Sequence, residues 1–273
     1  MSIEKSMNTR RESLSVRSLH LGRVVETDIF LPAPSEDMRD VSLLLINDGQ
    51  ELGRMGLEGM LDELYERDLI RPLVCVGIHA GADRKMEYGT AGRPDYLGRG
   101  AKADAYTRFI FEELIPVIRK RWVVPVFREK AFAGFSLGAL SAMDIVWRHP
   151  QEFARAGLFS GSFWWRTKDK NDPAYDDMKD RIMQQEVREG GYYPWLKFFF
   201  ECGTADENED RNGNGVIDAI DDTQDLIREL VVKGYDPERD IRYLEIEGGD
   251  HSVETWGKAM PEFLLWGWGK QMI

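Results

Sequence analysis

Gly134-Phe135-Ser136-Leu137-Gly138 has the Gly-x-Ser-x-Gly spacing of a nucleophile elbow, in which a serine rides a strained turn between a strand and a helix. Strand and helix nearly touch at such a turn, so the residues two before and two after the serine must be tiny, as Gly134 and Gly138 are. The five residues alone also fit a glycine-rich turn with an exposed serine and no chemistry. Their flanks favour the first reading. Ala131 to Phe135 reads as a buried strand, and Leu137, Leu140, Met143, Ile145 and Val146 recur at roughly helical spacing up to His149-Pro150, where a helix must stop.

A serine hydroxyl is a weak nucleophile at neutral pH, so an imidazole must take its proton and a carboxylate must orient that imidazole. Of the four histidines, His20 lies in the amino-terminal strand, His79 precedes the serine, and His149 ends a helix, where a cap explains it. His251 follows a strand through Glu247-Gly248-Gly249-Asp250 and precedes the last helix, which makes it the candidate base. The chain order serine, acid, histidine places the acid after a strand between Ser136 and His251. Phe198 to Cys202, Gly203-Thr204-Ala205 and then Asp206 supply strand, turn and carboxylate. Glu207 is the alternative, one residue of loop slippage away, and Asp250 is disfavoured because adjacent side chains diverge. Two backbone donors for an oxyanion are expected: the N–H of Leu137 at a helix start, and that of Gln50 in Asn47-Asp48-Gly49-Gln50. A plain strand-ending turn also fits the latter segment.

The elements that must position these groups alternate along the chain. Leu14 to Leu21 and Val24 to Leu31 read as consecutive strands. Strands at Val41 to Ile46, Pro72 to His79, Ala131 to Phe135, Ala154 to Phe159, Trp195 to Cys202 and Ile241 to Ile246 then alternate with helices. The predicted helices span Met55 to Asp68, Asp104 to Trp122, the elbow helix, Asp176 to Glu189, Thr223 to Lys233 and Val253 to Gly267. This pattern implies α/β architecture: a mostly parallel sheet with two antiparallel strands first and helices on both faces. Long loops at Gly81 to Lys102 and Asp206 to Asp222 fall on the side of the elbow, where open α/β sheets place their sites.

At 273 residues and 42% hydrophobic, with no linker-like stretch, residues 1–273 read as a single domain with a polar, flexible segment 1–12. The net charge of −12 and the lack of a basic stripe argue against nucleic acid as a partner. No apolar run has the length of a signal peptide or a membrane span, and Cys75 and Cys202 sit in apolar runs that suit reduced core thiols. A cytoplasmic protein with no membrane partner is therefore expected. The oligomeric state is not encoded in any of these features.

Together, the residues resemble the esterase family of α/β hydrolases that includes enterochelin esterases, feruloyl and acetyl xylan esterases, S-formylglutathione hydrolases and mycolyltransferases. The resemblance runs from about Val24 to the carboxyl terminus. It rests on Asn47 to Gln50, Asp83 to Tyr88, Glu113 to Ile118, the elbow, Leu158 to Ser162, Cys202 to Asp206, and Gly248 to His251 followed by Trp256. Ala139 stands where members often carry a second glycine. The resemblance implies an α/β-hydrolase fold and ester hydrolysis through Ser136, His251 and an acid matching Asp206, with no cofactor for catalysis. An acyltransferase using the same triad, or a non-catalytic calcium-stabilised binding protein of the same fold, are the competing readings.

Two further sets of residues bear on ligands. Asp210, Asn212, Asn214, Val216, Asp218 and Asp221 stand at positions 1, 3, 5, 7, 9 and 12 of a segment with glycine at position 6, Gly215, the register of an EF-hand-type loop. A structural calcium ion is expected there, against a solvated acidic loop. Arg84, Tyr88, Trp164 and Trp165 are candidates for contact with a small-molecule ester, although the aromatics also suit packing and Arg84 could pair with Glu87.

Overall fold

The computed structural model describes residues 9–32 and 38–270. The first half of the chain forms β1 (Arg10–Ser18), β2 (Arg23–Leu31), β3 (Ser42–Asn47), α1 (Leu52–Met55), α2 (Leu57–Glu66), β4 (Leu73–Ile78), α3 (Arg84–Glu87), α4 (Ala103–Arg108) and α5 (Ile115–Trp122). The second half forms β5 (Lys130–Phe135), α6 (Leu137–Arg148), β6 (Arg155–Phe159), α7 (Asp177–Asp180), α8 (Ile182–Glu189), β7 (Lys197–Ala205), α9 (Asp218–Lys233), β8 (Ile241–Asp250) and α10 (Val253–Trp268).

All eight strands join one sheet in the order β1-β2-β4-β3-β5-β6-β7-β8. β1 and β2 pair antiparallel, β2 and β4 pair antiparallel, and the remaining pairs are parallel, so β2 alone runs against the others. The period-2 alternation of side chains divides the core into two layers. Leu43, Leu45, Phe132, Phe198 and Phe200 face α4, α5, α6, α8 and α9, while Leu44, Ile46, Ala131, Ala133 and Phe199 face α1, α2 and α10. This is the α/β-hydrolase sheet expected from the order of elements. Among the described residues no helix is long and apolar enough to cross a membrane.

Among the boundaries that differ from the sequence expectation, three bear on how the elements are built. β1 begins at Arg10, four residues early, because its pairing with β2 continues to Arg10 opposite Leu31. Residues 10–12, expected to be flexible, therefore lie in a strand, and the rest of that segment up to residue 8 is outside the described residues. The helix expected from Asp104 to Trp122 widens into a π-helical turn at Phe109–Leu114. Pro116 accounts for this, since it lacks an N–H and its ring crowds the carbonyl four residues back. The third boundary is the start of α9, at Asp218 inside the expected acidic loop.

Candidate active site

β3, β5, β6, β7 and β8 run parallel, so the residues that follow their carboxyl ends share one edge of the sheet. Ser136 follows β5 with φ 56° and ψ −123°, a conformation rarely adopted by a residue with a side chain. The turn is held by its neighbours: Ser136 N–H donates to the Phe159 carbonyl (2.9 Å), and the Ser136 carbonyl accepts from Ser162 N–H (3.1 Å). A Cβ on Gly134 would lie 2.3 Å from the Gly138 carbonyl oxygen, which is the steric reason for the glycine spacing.

At the end of β7 the register with β8 shifts between Gly203 and Ala205, so that Ala205 faces Asp250. Asp206 and His251 thus leave adjacent strands side by side, with His251 Nδ1 3.5 Å from Asp206 Oδ1. The Asp206 side chain is 1% exposed and that of His251 is 42% exposed. Asp206 Oδ1 also accepts from the Ser160 hydroxyl (3.1 Å), which in turn accepts from Trp256 Nε1 (2.9 Å). The Trp256 ring stacks on Phe135 at 5.0 Å between centroids and meets the His251 ring edge-on at 5.3 Å. One indole therefore links Phe135, His251 and the hydroxyl that Asp206 accepts from.

Glu207 faces the start of α9 instead, where Ala219 N–H reaches it and burial raises its carboxyl above the usual range. Asp250 accepts from the Ser252 and Thr255 hydroxyls at the start of α10.

The loop after β3 is fastened to the elbow. Asn47 Nδ2 donates to the Gly138 carbonyl (2.8 Å) and its Oδ1 accepts from the Tyr106 hydroxyl (2.5 Å). Asp48, at φ 58°, is gripped by Arg84 through Nε to Oδ1 (2.6 Å) and Nη2 to Oδ2 (2.8 Å), and its N–H donates to the Tyr88 hydroxyl (3.2 Å). A Cβ on Gly138 would stand 2.6 Å from Asp48 Oδ2, and one on Gly49 would stand 2.1 Å from the Gly77 carbonyl carbon. These contacts hold the backbone of Gln50 on the same edge as Leu137, the first residue of α6. N–H groups at helix starts lack intrahelical acceptors and suit an anion. The Gln50 side chain accepts from Ala80 N–H at 3.0 Å.

The residues expected at the substrate are placed differently from one another. Tyr88 and Trp165 are fully buried, so neither presents a face to a ligand. Tyr88 serves Asp48, and burial pushes its phenol far up. Arg84 pairs with Asp48 rather than Glu87, whose partner is Arg23. It lies against a cavity of about 450 Å³ lined also by Asp48, Gln50, Arg54, His251 and Trp256. Trp164 is half-buried between the guanidinium groups of Arg99 (5.1 Å) and Arg166 (5.9 Å). A larger concavity of about 650 Å³ lies at the opposite edge of the sheet, around Lys130 and His149, away from Ser136.

The calcium loop expected from the spacing is not what the structure holds. Among the described residues no group of three or more His, Cys, Asp or Glu side chains is placed to hold a metal ion. The oxygens are engaged within the protein. Asp221 Oδ2 accepts from the amides of Asn212 and Asn214 (both 2.8 Å), Asp218 Oδ1 accepts from Arg211 N–H (2.8 Å), and Asp210 Oδ2 accepts from Gly215 N–H (2.9 Å). Arg211 supplies the positive charge, reaching Asp177, Asp218 and Asp222. Val216 N–H donates to Asn214 Oδ1 (2.8 Å).

The sheet is that of the α/β-hydrolase fold, and the family match makes the protein a carboxylic ester hydrolase. Residues 18–266 match the sequence model of the family described as Putative esterase, and the chain belongs to that family. Uncharacterized protein YbbA of Bacillus subtilis (strain 168) is 22% identical over 243 residues, 88% of this chain and 90% of that protein. Among solved structures, the siderophore hydrolase EstA from Aspergillus nidulans superposes with a TM-score of 0.71 at 16% identity, covering 97% of this chain and 96% of that one. The enterobactin esterase from Shigella flexneri superposes with a TM-score of 0.68 at 19% identity over 94% of this chain, which spans 58% of that protein.

Sequence reasoning missed Asp48, Ser160 and the role of Trp256 as a donor. The signals were faint: a second serine at the end of a strand, and a tryptophan in the first turn of the last helix.

Proposed function

We propose that this protein is a serine esterase that hydrolyses a small-molecule carboxylic ester through an acyl-enzyme on Ser136. The observation that carries the reading is the strained Ser136 turn standing on the same sheet edge as the His251–Asp206 pair. Ser136 Oγ attacks the ester carbonyl while its proton passes to His251 Nε2, and Asp206 keeps the other ring nitrogen protonated and stabilises the imidazolium. The N–H groups of Leu137 and Gln50 receive the oxyanion, and the alcohol leaves with the proton that His251 returns. Water then attacks the acyl-enzyme by the same route in reverse. His251 is half-exposed, and in apo sites the hydrogen bonds of a catalytic histidine commonly tighten only once substrate is bound. Arg84 and Tyr88 support the oxyanion loop, and Trp164, half-buried, is the remaining aromatic candidate for substrate contact. The buried free thiols of Cys75 and Cys202 support a reducing, cytoplasmic setting.

The test is hydrolysis of a panel of p-nitrophenyl acyl esters by the wild type and by Ser136→Ala. A loss on the order of 10⁴-fold or more in kcat/KM is expected. Equal activity of the two proteins would remove Ser136 as nucleophile, and release of product only when an alcohol or sugar acceptor is added would make the enzyme a transferase.

A further inference from the structure

Beneath the His251–Asp206 pair lies a carboxyl group that this reaction scheme does not use. Glu201 stands on β7 with no exposed surface, opposite Phe159 of β6 and Leu244 of β8. Two residues after Phe199, it falls on the face of the sheet that α10 covers. Ser160 faces it from the end of β6, Asp206 from the end of its own strand, and Trp256 of α10 reaches the same Ser160. Asp206 is the charged group that acts on it.

Donors are distributed unequally between the two carboxyl groups. Asp206 receives the Ser160 proton and faces the His251 ring nitrogen. Neither oxygen of Glu201 has a hydrogen-bond partner among the described residues, and Asp206 Oδ2 has none either. The Ser160 N–H and hydroxyl both come close enough to Glu201 to favour its anion, but the N–H is given to the Glu201 backbone carbonyl (2.8 Å) and the hydroxyl proton to Asp206. Two neighbouring buried carboxyls resist ionising together, so near neutral pH a proton is retained, and it settles on the one whose oxygens lack donors.

We propose, resting on the triad reading above, that Glu201 is a positioning residue: held as the neutral acid, it donates its carboxyl proton to the Asp206–Ser160 pair and keeps the Asp206 carboxyl group fixed for His251. The acceptors that lack a donor, Asp206 Oδ2 and the remaining lone pair of Ser160 Oγ, are the places for that proton. Burial, and then the charge of Asp206, push the Glu201 carboxyl up to about 8, so the neutral acid is the form present at pH 7. Above that pH a second negative charge appears beside Asp206 and the support is lost.

Glu201→Gln keeps an N–H donor and cannot titrate, whereas Glu201→Leu offers neither a donor nor a charge. Infrared spectra across pH 5 to 10 are expected to show a protonated-carboxyl band in the wild type that disappears near pH 8 and is missing from Glu201→Gln. With p-nitrophenyl acetate, the wild-type kcat should fall above about pH 8 and that of Glu201→Gln should not. Glu201→Leu should lose about tenfold or more in kcat at pH 7 with KM little changed, and Glu201→Gln should restore most of it. No such band at pH 7, or Gln and Leu variants alike in kcat and pH profile, would overturn the proposal. If Glu201→Leu does not fold, the infrared band and the Glu201→Gln profile decide. The infrared measurement repeated in Ser136→Ala needs no turnover, so failure of the triad reading and failure of this proposal give different results.

Discussion

At the scale of single residues, the candidate acid has almost no water to lean on and depends on donors built into the fold. The Asp206 side chain is 1% exposed, and its Oδ1 is shared between the Ser160 hydroxyl and His251. Replacing Ser160 by alanine removes a hydrogen bond to a charged acceptor, worth about 1.5–3 kcal/mol. A fall in kcat on the order of tenfold is expected, with KM little affected, measured on a p-nitrophenyl ester. Trp256→Phe keeps the ring over His251 and Phe135 but deletes the Nε1–H that Ser160 accepts. Because the two residues act in one chain, the double variant should be no slower than Ser160→Ala alone. Additive losses in kcat would mean that the indole and the hydroxyl act separately.

At the scale of elements, the site depends on loops that interlock at the ends of neighbouring strands. A methyl group at Gly49 would stand 2.1 Å from the backbone of Gly77, so Gly49→Ala must part β3 from β4 near the candidate oxyanion donor. Overpacking of this kind costs about 1–3 kcal/mol or more, which predicts a melting temperature lower by about 5 °C and a matching loss of activity. The loop after Asp206 is closed by Asp221, which the Asn212 and Asn214 amides both reach, and by Arg211 among three aspartates. EDTA should therefore leave the melting temperature unchanged, while Asp221→Ala should lower stability by about 1–2 kcal/mol in urea titrations. A rise in melting temperature on adding calcium would return the segment to the metal reading.

At the scale of the whole molecule, one buried acid ties global stability to pH. Glu201, normally titrating near 4.5, is pushed up to about 8, so between these values the folded state holds a proton that the unfolded chain releases. Stability then falls as pH rises through that window. Asp144, raised to about 6 by burial, acts with the same sign but has finished titrating by pH 7. Urea unfolding at pH 7 and pH 9 should show the wild type losing more stability than Glu201→Gln, by roughly 1 kcal/mol; parallel losses would mean that Glu201 is already ionised at pH 7. How much of the molecule could be read beforehand follows from the range of the interactions involved. Alternating apolar runs carried the sheet and its helices, because burial on both faces leaves a mark on every strand. Chain order and strand ends pointed to Ser136, His251 and Asp206 as candidates, because a local turn and its glycines are written in consecutive residues. The grip of Arg84 on Asp48 spans 36 residues and that of Trp256 on Ser160 spans 96. Tyr88 and Trp165 were placed at the substrate by residue type, although both point into the core, and Glu201 passed as one strand residue among apolar ones. The calcium register was satisfied in spacing while Arg211 and two asparagine amides took up the oxygens. The sequence alone therefore determined the family, the fold and which residues are chemically equipped. Only the tertiary structure decided which way each side chain faces and who shares its hydrogen bonds, because those partners come from separate strands and meet only when the sheet closes.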